Sequence, residues 1–292
     1  VIALSLREKN SFEHCIDEEL SDLANKNVMS VLVKTFVNCY TLFREDRTSY
    51  ISDFSRRVAQ ALYRDFTCNR IKLLLERAST YMETIYREMS SIFNAVFAID
   101  IKLTSRLTVY TRNPFLPLEI SLAWDSVLNL PYIPSSSIKG AVRSWIESIG
   151  IVNIDGIDIK EIFGPSTKEE LKYMGLAVFT DAYPISCVDH LIEPDVITSH
   201  YSYTRLAISE VESSPTPLVF PTIAPQTVLR VVIAFNYERG DKQVLNTSIV
   251  FKLIEHIMKG LEEGLGAKTN IGYGRAKTVI STTNTKLGDT AS

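Results

Sequence analysis

The sequence lacks most of the short motifs that assign a chemistry directly. It contains 4 cysteines and 4 histidines among 292 residues. The cysteines, at positions 15, 39, 68 and 187, form no close pair and no Cys/His cluster with zinc-ligand spacing. No Gly-Lys-Ser/Thr phosphate-binding motif and no dinucleotide-binding glycine fingerprint occurs. These absences argue against a zinc domain and these two nucleotide sites, and they predict reduced, intracellular thiols.

Long apolar runs and an excess of one charge are missing as well. No apolar stretch approaches the ~20 residues that span a bilayer, and the stretch 1–6 is too short for the core of a signal peptide. The first residue is valine rather than methionine, which predicts residues upstream. We therefore expect a cytoplasmic protein. The net charge of −3 means that any nucleic-acid site must be a local patch.

Hydrophobic periodicity predicts a helical N-terminal part followed by a mixed α+β part. From residue 98 we expect strands and helices in the order strand 98–110, helix 136–149, strands 175–181, 218–222 and 228–236, helix 248–263 and strand 274–281, with an irregular stretch at 184–217. The pattern favours a ferredoxin-like domain of two half-modules. The expected domain bounds are 1–97 for the helical region, 98–281 for the ferredoxin-like domain and 282–292 for a disordered tail.

The N-terminal helices carry a series of basic residues between their apolar stripes. A solvated face, neutralised by nearby glutamates, is the favoured interpretation, and a basic stripe that faces RNA or a neighbouring subunit is the alternative. The residues concerned are Arg56, Arg57, Arg64, Arg70, Lys72, Arg77 and Arg87.

Glycines concentrate in one segment near the C-terminus. Five of the 12 glycines lie within 260–275, at positions 260, 264, 266, 272 and 274. A helix C-cap and a turn explain one or two of them, but not five interleaved with Lys268, Thr269, Tyr273 and Arg275. Glycine lets backbone amides approach a ligand closely, while cations and an aromatic ring suit a sugar-phosphate chain. The segment therefore predicts an RNA-binding loop.

A second loop, 131–140, leads directly into a helix. Ser135, Ser136 and Ser137 stand at the expected helix N-terminus, where free amides favour an anion, and Lys139 adds positive charge. Arg143 follows one turn later on the same face. Serine at this place is most often only a cap. Gly140 inside the helix costs about 1 kcal/mol relative to alanine, which indicates close packing or the approach of a ligand.

The two loops carry a resemblance to a known family. The segment Pro131-Tyr-Ile-Pro-Ser-Ser-Ser-Ile-Lys-Gly-Ala-Val-Arg143 resembles a signature of the RAMP superfamily of CRISPR proteins, and 264–275 resembles that superfamily's C-terminal glycine-rich loop. Within it, 178–184 and 193–201 are similar to the sixth-subunit family of type III-B Cmr effector complexes. The resemblance covers residues 98–280. Ser135 departs from it, because the family usually has glycine there, and this puts the backbone conformation of the loop in question.

The resemblance implies a non-catalytic guide-RNA-binding subunit that acts in antiviral defence, at the head of the complex near the 3′ end of the CRISPR RNA (crRNA). It implies crRNA and target RNA as nucleic-acid partners, and the backbone RAMP, head RAMP and small subunits as protein partners. We expect no cofactor, no metal and no membrane partner, because the sequence has no metal-ligand spacing and no long apolar run. The RNA-contacting residues that it indicates are Ser136, Ser137, Lys139, Arg143, Lys268, Thr269, Tyr273 and Arg275, with the loop glycines Gly140, Gly264, Gly266, Gly272 and Gly274.

Two other functions stay open from the sequence. In the family's backbone subunits, an aspartate upstream of the proline loop serves RNA cleavage, and Glu119 and Asp125 are the carboxylates near that place here. His200 is a candidate general base for metal-independent cleavage. An endoribonuclease is therefore the alternative. A protein-interaction module is the third reading, suggested by the acidic balance and the N-terminal helices.

Overall fold

The computed structural model describes residues 12–42, 50–109, 112, 116, 118–165, 173–199 and 216–286. The helices are α1 (Phe12–Glu19), α2 (Val28–Leu42), α3 (Tyr50–Asp65), α4 (Lys72–Ile92), α5 (Ser135–Ser148), α6 (Ile159–Phe163) and α7 (Thr247–Glu263). The strands are β1 (Ala95–Leu103), β2 (Trp124–Asp125), β3 (Leu130–Pro131), β4 (Asn153–Ile154), β5 (Ile157–Asp158), β6 (Ala177–Phe179), β7 (Tyr183–Ser186), β8 (Ile192–Ser199), β9 (Thr216–Ile223), β10 (Val228–Phe235), β11 (Glu238–Arg239), β12 (Lys242–Gln243) and β13 (Ala276–Thr285). Among these described residues, no helix is both long and apolar enough to cross a membrane.

Contacts divide the chain into two compact units that do not follow chain order. The first unit comprises 1–72, 110–129 and 188–224, and the second comprises 73–109, 130–187 and 225–292. The mixture of helices and antiparallel strands makes the chain an α+β protein, as the sequence predicts. The domain bounds expected from the sequence, at residues 97 and 281, stay a prediction.

The second unit is built around an antiparallel sheet with β1 at its centre. The strand order is β13-β1-β10-β6, and β7 also pairs with β10. The ring of Phe97 on β1 meets that of Phe251 on α7, with centroids 5.6 Å apart. In α7, Gly260 lies so close to α5 that an added Cβ would be 3.2 Å from the Cα of Val142. The helices α5 and α7 therefore pack together, and α7 covers the Phe97 face of the sheet.

The opposite face of the sheet carries a charged pair and contacts α4. Arg230 on β10 donates through Nε and Nη2 to the carboxylate of Asp100 on β1, at 2.7 and 2.9 Å. Glu83 of α4 lies 3.8 Å from Arg230. The ring of Tyr81, also on α4, meets Tyr183 of β7 edge to face at 5.6 Å. This face thus carries a charged pair at its centre, and side chains of α4 contact it.

In the first unit, α3 packs against the β8–β9 hairpin, and α1 packs against α2. Cys15 of α1 and Cys39 of α2 form a disulfide, with Cα atoms 5.8 Å apart. The prediction of reduced thiols is therefore wrong, and it is wrong for all four cysteines, because Cys68 and Cys187 are not free thiols either. Cys15 and Cys39 are 24 residues apart in sequence, and only the packing of the two helices brings them together.

The carboxylate of Asp65, at the end of α3, is buried and has several donors. It accepts the backbone N–H of Leu23 at 2.8 Å, two hydrogen bonds from Arg64 at 2.9 Å and one from Arg70 at 2.8 Å. Burial raises the pKa of Asp65, but the bonds from Arg64 and Leu23 outweigh burial and hold the pKa below its usual range. The network joins the end of α3 to the 3₁₀ turn at Leu23–Asn25.

The basic residues of the N-terminal helices are largely neutralised within the chain. Arg56 pairs with Asp53, Arg57 with Asp17 and Glu13, Arg64 and Arg70 with Asp65, and Arg87 with Glu88. This pattern favours the solvated face over the RNA-facing stripe.

Element bounds differ most from the sequence prediction in three places. The first strand spans 95–103 rather than 98–110, and the last one continues to Thr285 rather than ending at 281. The prediction of an irregular stretch at 184–217 is wrong where the structure describes it, because β8 lies within 192–199 and pairs with β9, and residues 200–215 lie outside the described part of the chain. The prolines in these two strands favour a loop prediction, because proline is disfavoured in central strands. In a two-stranded ladder such as this one, Pro194 stands directly opposite Pro221.

Replacing Asp65 by asparagine should lower the free energy of unfolding by about 2 kcal/mol at pH 7, because two arginines lose a buried anionic partner. The pKa of Asp65 is lower in the folded state, so its contribution is present above the unfolded-state value of about 3.9 and is lost as pH falls through the folded value. The difference between wild type and Asp65→Asn in urea unfolding should therefore shrink below about pH 4.

The matched control for this measurement is Asp241→Asn, a substitution of the same type at an exposed position. It should leave the unfolding curve unchanged over the whole pH range. A constant difference between wild type and Asp65→Asn from pH 7 to pH 2 would contradict the role given to the ionised carboxylate.

Candidate functional site

The glycine-rich segment 264–275, the glycine loop, is a closed loop between α7 and β13. The backbone N–H of Leu265 donates to the carbonyl of Gly274 at 3.0 Å, which joins the two ends of the loop. The side chain of Leu265 is fully buried beneath it. The loop therefore has its own small core and a fixed base.

The loop is also fastened to the segment that follows β1. Ala267 N–H donates to the carbonyl of Thr108, and Gly274 N–H to that of Arg106, both at 2.8 Å. In return, the carbonyl of Arg275 accepts the N–H of Thr104 at 2.8 Å. Residues 104–108 thus serve as a platform for the loop, a relation that the sequence pattern does not reveal.

Two of the glycines are required by this close packing. Gly266 has φ +76°, and an added Cβ would lie 2.3 Å from the carbonyl oxygen of Thr108. Gly274 has φ +69°, and its Cβ would lie 1.9 Å from the carbonyl oxygen of Leu265. At Gly264 a Cβ would meet Thr269, whereas Gly272 has open space. Most of the glycine enrichment therefore serves the closure of the loop, and Gly272 is the place where a ligand could approach.

The polar residues of the loop lie on one short turn. Lys268, at φ +64°, precedes the 3₁₀ turn Thr269–Ile271, and Tyr273 N–H returns to the carbonyl of Lys268 at 3.3 Å. Arg275 forms an ion pair with Glu263 and is about half exposed. The structure thus brings together Lys268, Thr269 and Tyr273, while a phosphate would have to compete with a carboxylate for Arg275.

The second loop, 131–140, is the serine loop and leads into α5, and the N–H of Ser135 at the start of the helix already has an acceptor. Ser135 N–H donates to the carboxylate of Asp181 at 2.6 Å. Pro134 at the N-cap supplies no side-chain hydrogen bond. An internal anion therefore occupies part of the helix N-terminus at which the sequence predicts phosphate binding. Asp181 is a site residue that the sequence analysis did not single out, because its role depends on a contact across 46 residues.

Lys139 lies beside a cavity of about 290 Å³. Burial lowers the pKa of Lys139, and the nearby charge of Arg143 adds to this effect. The ammonium group therefore lies in a partly dry and positive environment. The cavity is lined by Ser135, Ser136, Lys139, Met174, Gly175, Ala177, Val178 and Phe179.

Arg143 is held within the protein. Its Nε donates to Glu147 at 2.8 Å, and its Nη1 donates to the carbonyl of Gly164 at 3.0 Å. At Gly140 an added Cβ would meet nothing within 4 Å. The close packing suggested for Gly140 is therefore absent, and open space remains above the helix at that point.

The two loops lie at opposite edges of the sheet. The serine loop pairs next to β7 through Ile133 and Ala182, whereas the glycine loop leads into β13 at the other edge. Three strand spacings of about 4.8 Å separate the edges, roughly 14 Å in total. The predicted RNA-binding residues therefore form two separate patches within one unit.

The family follows from this fold and these loops together with comparisons to known proteins. The sequence profile of the RAMP superfamily matches residues 115–277, more than half of the chain and including both loops. The chain belongs to the RAMP superfamily.

Two known proteins and a solved structure are similar to more than half of this chain. It is 34% identical over 224 residues to the CRISPR system CMR subunit Cmr6 of Saccharolobus solfataricus, which covers 75% of this chain and 69% of that protein. It is 27% identical over 191 residues to the CRISPR system Cms endoribonuclease Csm3 of Streptococcus thermophilus, covering 61% and 84% of the two chains. A chain from the cryo-EM structure of the type III-B Cmr-beta bound to cognate target RNA matches with a TM-score of 0.67 and 23% identity, covering 94% of this RAMP chain and 97% of that one. The last likeness concerns the fold alone.

The carboxylates considered for cleavage have local partners in this RAMP chain. Asp125 accepts the N–H groups of Val127 and Leu128 at 2.7 and 2.8 Å, which is an ordinary turn-capping arrangement. Glu119 N–H donates to Ser55 Oγ at 2.9 Å, and one of its carboxylate oxygens is buried without a partner. His200 lies outside the described residues. Within the described part of the chain, no three His, Cys, Asp or Glu side chains cluster as metal ligands.

Glu119→Gln should stabilise the protein at neutral pH. Burial raises the pKa of Glu119, and a hydrogen bond from Ser52 offsets this only in part. The carboxyl group of Glu119 therefore loses its proton more readily in the unfolded state. As a result, the free energy of unfolding falls as pH rises above the unfolded-state pKa of glutamate, about 4.3. We expect a higher melting temperature than wild type at pH 7 and the same one near pH 3. Glu238→Gln, at an exposed position, is the control and should match wild type throughout. A lower melting temperature for Glu119→Gln at pH 7 would show that the charged form is the stabilising one.

Proposed function

We propose that this chain is a Cmr6-type subunit of a type III-B CRISPR effector and binds the guide RNA near its 3′ end, at the head of the complex. The observation that carries the proposal is the anchored glycine loop, which presents Lys268, Thr269 and Tyr273 on one turn. The 34% identity to a CMR subunit supports the assembly. The other Cmr subunits and target RNA are its proposed partners, and antiviral defence is its proposed role.

The central unit is proposed to be a ferredoxin-like domain with two half-modules. The order of elements is β1, α5, the edge strands β6 and β7, then β10, α7 and β13. The antiparallel strand order β13-β1-β10-β6 supports this assignment. In such a domain, each half-module contributes one loop, and the loops lie at opposite edges of the sheet.

Binding through the RNA backbone suits the chemistry of both patches. In the glycine loop, Lys268 and Arg275 would neutralise phosphates and Tyr273 would stack on a base or sugar. In the serine loop, Lys139 is the main cation, because Arg143 is engaged with Glu147. A strand that contacts both patches must cross at least the lateral distance of about 14 Å between the sheet edges, which corresponds to about four nucleotides or more at a stacked spacing of ~3.4 Å.

The affinity for RNA should depend on salt, because binding exchanges ion pairs within the chain for contacts with phosphates. Arg275 must leave Glu263 to contact a phosphate, so the net gain is smaller than for a free cation. The substitution pair Lys268→Ala and Arg275→Ala should weaken binding of a 12-nucleotide RNA about tenfold and should reduce the slope of log K against log salt by about 1.4, or 0.7 per phosphate contact. Fluorescence anisotropy between 50 and 300 mM KCl measures both quantities.

The control for that pair is Arg87→Ala with Lys242→Ala, which removes the same charge from exposed positions outside the loops. The control should change neither the affinity nor the slope. Equal slopes for wild type and the loop variant would overturn the proposed role of the glycine loop.

The subunit is proposed to be non-catalytic. The engagement of Asp125 in a turn and the packing of Glu119 against α3 support a structural role for these carboxylates. Purified protein incubated with guide or target RNA should therefore yield no product, with Mg²⁺ or with EDTA. A metal-dependent product lost in Glu119→Ala or Asp125→Ala would contradict the proposal, as would an EDTA-resistant product lost in His200→Ala.

A further inference from the structure

The edge strand β6 has backbone groups that the sheet does not use. Thr180 N–H donates to the carbonyl of Val232 at 3.0 Å, and Asn236 N–H donates to that of Leu176 at 3.1 Å. These two bonds fix the register of the ladder between β6 and β10. In an antiparallel ladder, residues bonded to the partner alternate with residues whose N–H and C=O point away from it.

By this alternation, Ala177 and Phe179 direct their N–H and C=O groups outward. Neither residue has a hydrogen-bond partner for these groups within the described part of the chain. Ala177 is 2% exposed, and Phe179 is 9% exposed. Buried backbone groups are nearly always paired, so an unpaired edge that lines a cavity indicates that a ligand or solvent supplies the missing partners.

The cavity described above lies at this edge and faces Lys139. Its volume of about 290 Å³ is at the lower end of the range for small-molecule pockets, ~300–1,000 Å³. Lys139 has no ion-pair partner among the described residues. Ser136 forms an exposed part of the rim, and Met174 and Phe179 contribute apolar surface. The pocket thus combines an apolar wall, two backbone donors with two acceptors, and one cation.

We propose that this cavity, the base pocket, receives one unstacked base of a single-stranded RNA. The backbone edges of Ala177 and Phe179 hydrogen-bond the edge of the base, and Lys139 contacts the adjacent phosphate. The inference rests on the proposed function, because it specifies how bound RNA is held.

A base fits this pocket better than an isolated phosphate does. A phosphate needs several donors and no apolar contact, and here Asp181 already holds the Ser135 amide of α5. A base offers donors and acceptors side by side along one edge, and its ring faces suit apolar walls. The base pocket therefore contributes base contacts, in addition to the electrostatic binding at the glycine loop.

The test fills the pocket from its exposed rim. Ser136→Phe adds a ring over the cavity, and Ser144→Phe places the same side chain at an exposed position of the same helix outside the lining. The probes are a fluorescent 12-nucleotide RNA and a ribose-phosphate strand of equal length without bases. The ratio of their dissociation constants measures base contacts independently of charge.

Wild type and Ser144→Phe should prefer the RNA, and Ser136→Phe should reduce this preference about tenfold, within the range for loss of one base contact. Ala177→Pro is a second variant, since it removes one outward N–H that the ladder does not use. Thermal unfolding checks that each variant is folded.

The outcomes separate this inference from the function on which it rests. Wild type that binds neither probe contradicts the proposed function. Wild type that binds both probes equally, or an unchanged preference in both Ser136→Phe and Ala177→Pro, overturns the base pocket while leaving RNA binding intact. An unchanged preference would also be found if the edge of β6 bound a peptide strand from a protein partner instead of a base.

Discussion

The pairing of β1 with strands on both of its sides is the interaction on which the second unit depends. β10 binds one edge of β1 and β13 binds the other, so residues far apart in sequence enter one sheet. The chain then leaves β1 at Leu103 and immediately supplies the platform of carbonyls that fastens the glycine loop. Correct placement of β1 therefore fixes the sheet and the loop at once.

The charges of the site are mostly balanced before any ligand binds. Arg143 pairs with Glu147, Arg275 with Glu263, and the amide of Ser135 with Asp181. These pairs are consistent with the net charge of −3, because the cations proposed to contact RNA create no positive surface field while they are paired. If the proposed RNA contacts form, each contact between Arg143 or Arg275 and a phosphate must compensate for a lost ion pair.

The sequence predicts the parts of this architecture that depend on local pattern. Apolar periodicity locates α5 and α7 to within a residue at each end, and the glycine spacing correctly marks a special loop. The glycine spacing does not reveal what the glycines contact. Gly266, for example, must be glycine because it packs against the carbonyl of Thr108, and these two residues meet only in the folded chain. The β8–β9 hairpin was missed because its prolines resemble loop residues. The disulfide and the contact of Asp181 depend on tertiary packing and carry no local signal.

Asp181 links the stability of the serine loop to its chemistry. Its carboxylate accepts a hydrogen bond from the backbone N–H of Ser135. Ile133 and Ala182 each donate a backbone hydrogen bond of 2.9 Å to the other. These contacts hold the start of α5 against the sheet edge. The same fastening directs Lys139, one turn later, toward the outward backbone of β6. A loop held in this way loses little conformational entropy when a ligand binds, and the negative charge of Asp181 disfavours a second anion at the first amide. This geometry supports the proposed arrangement, in which a phosphate lies beside Lys139 and a neutral base lies at the edge of β6.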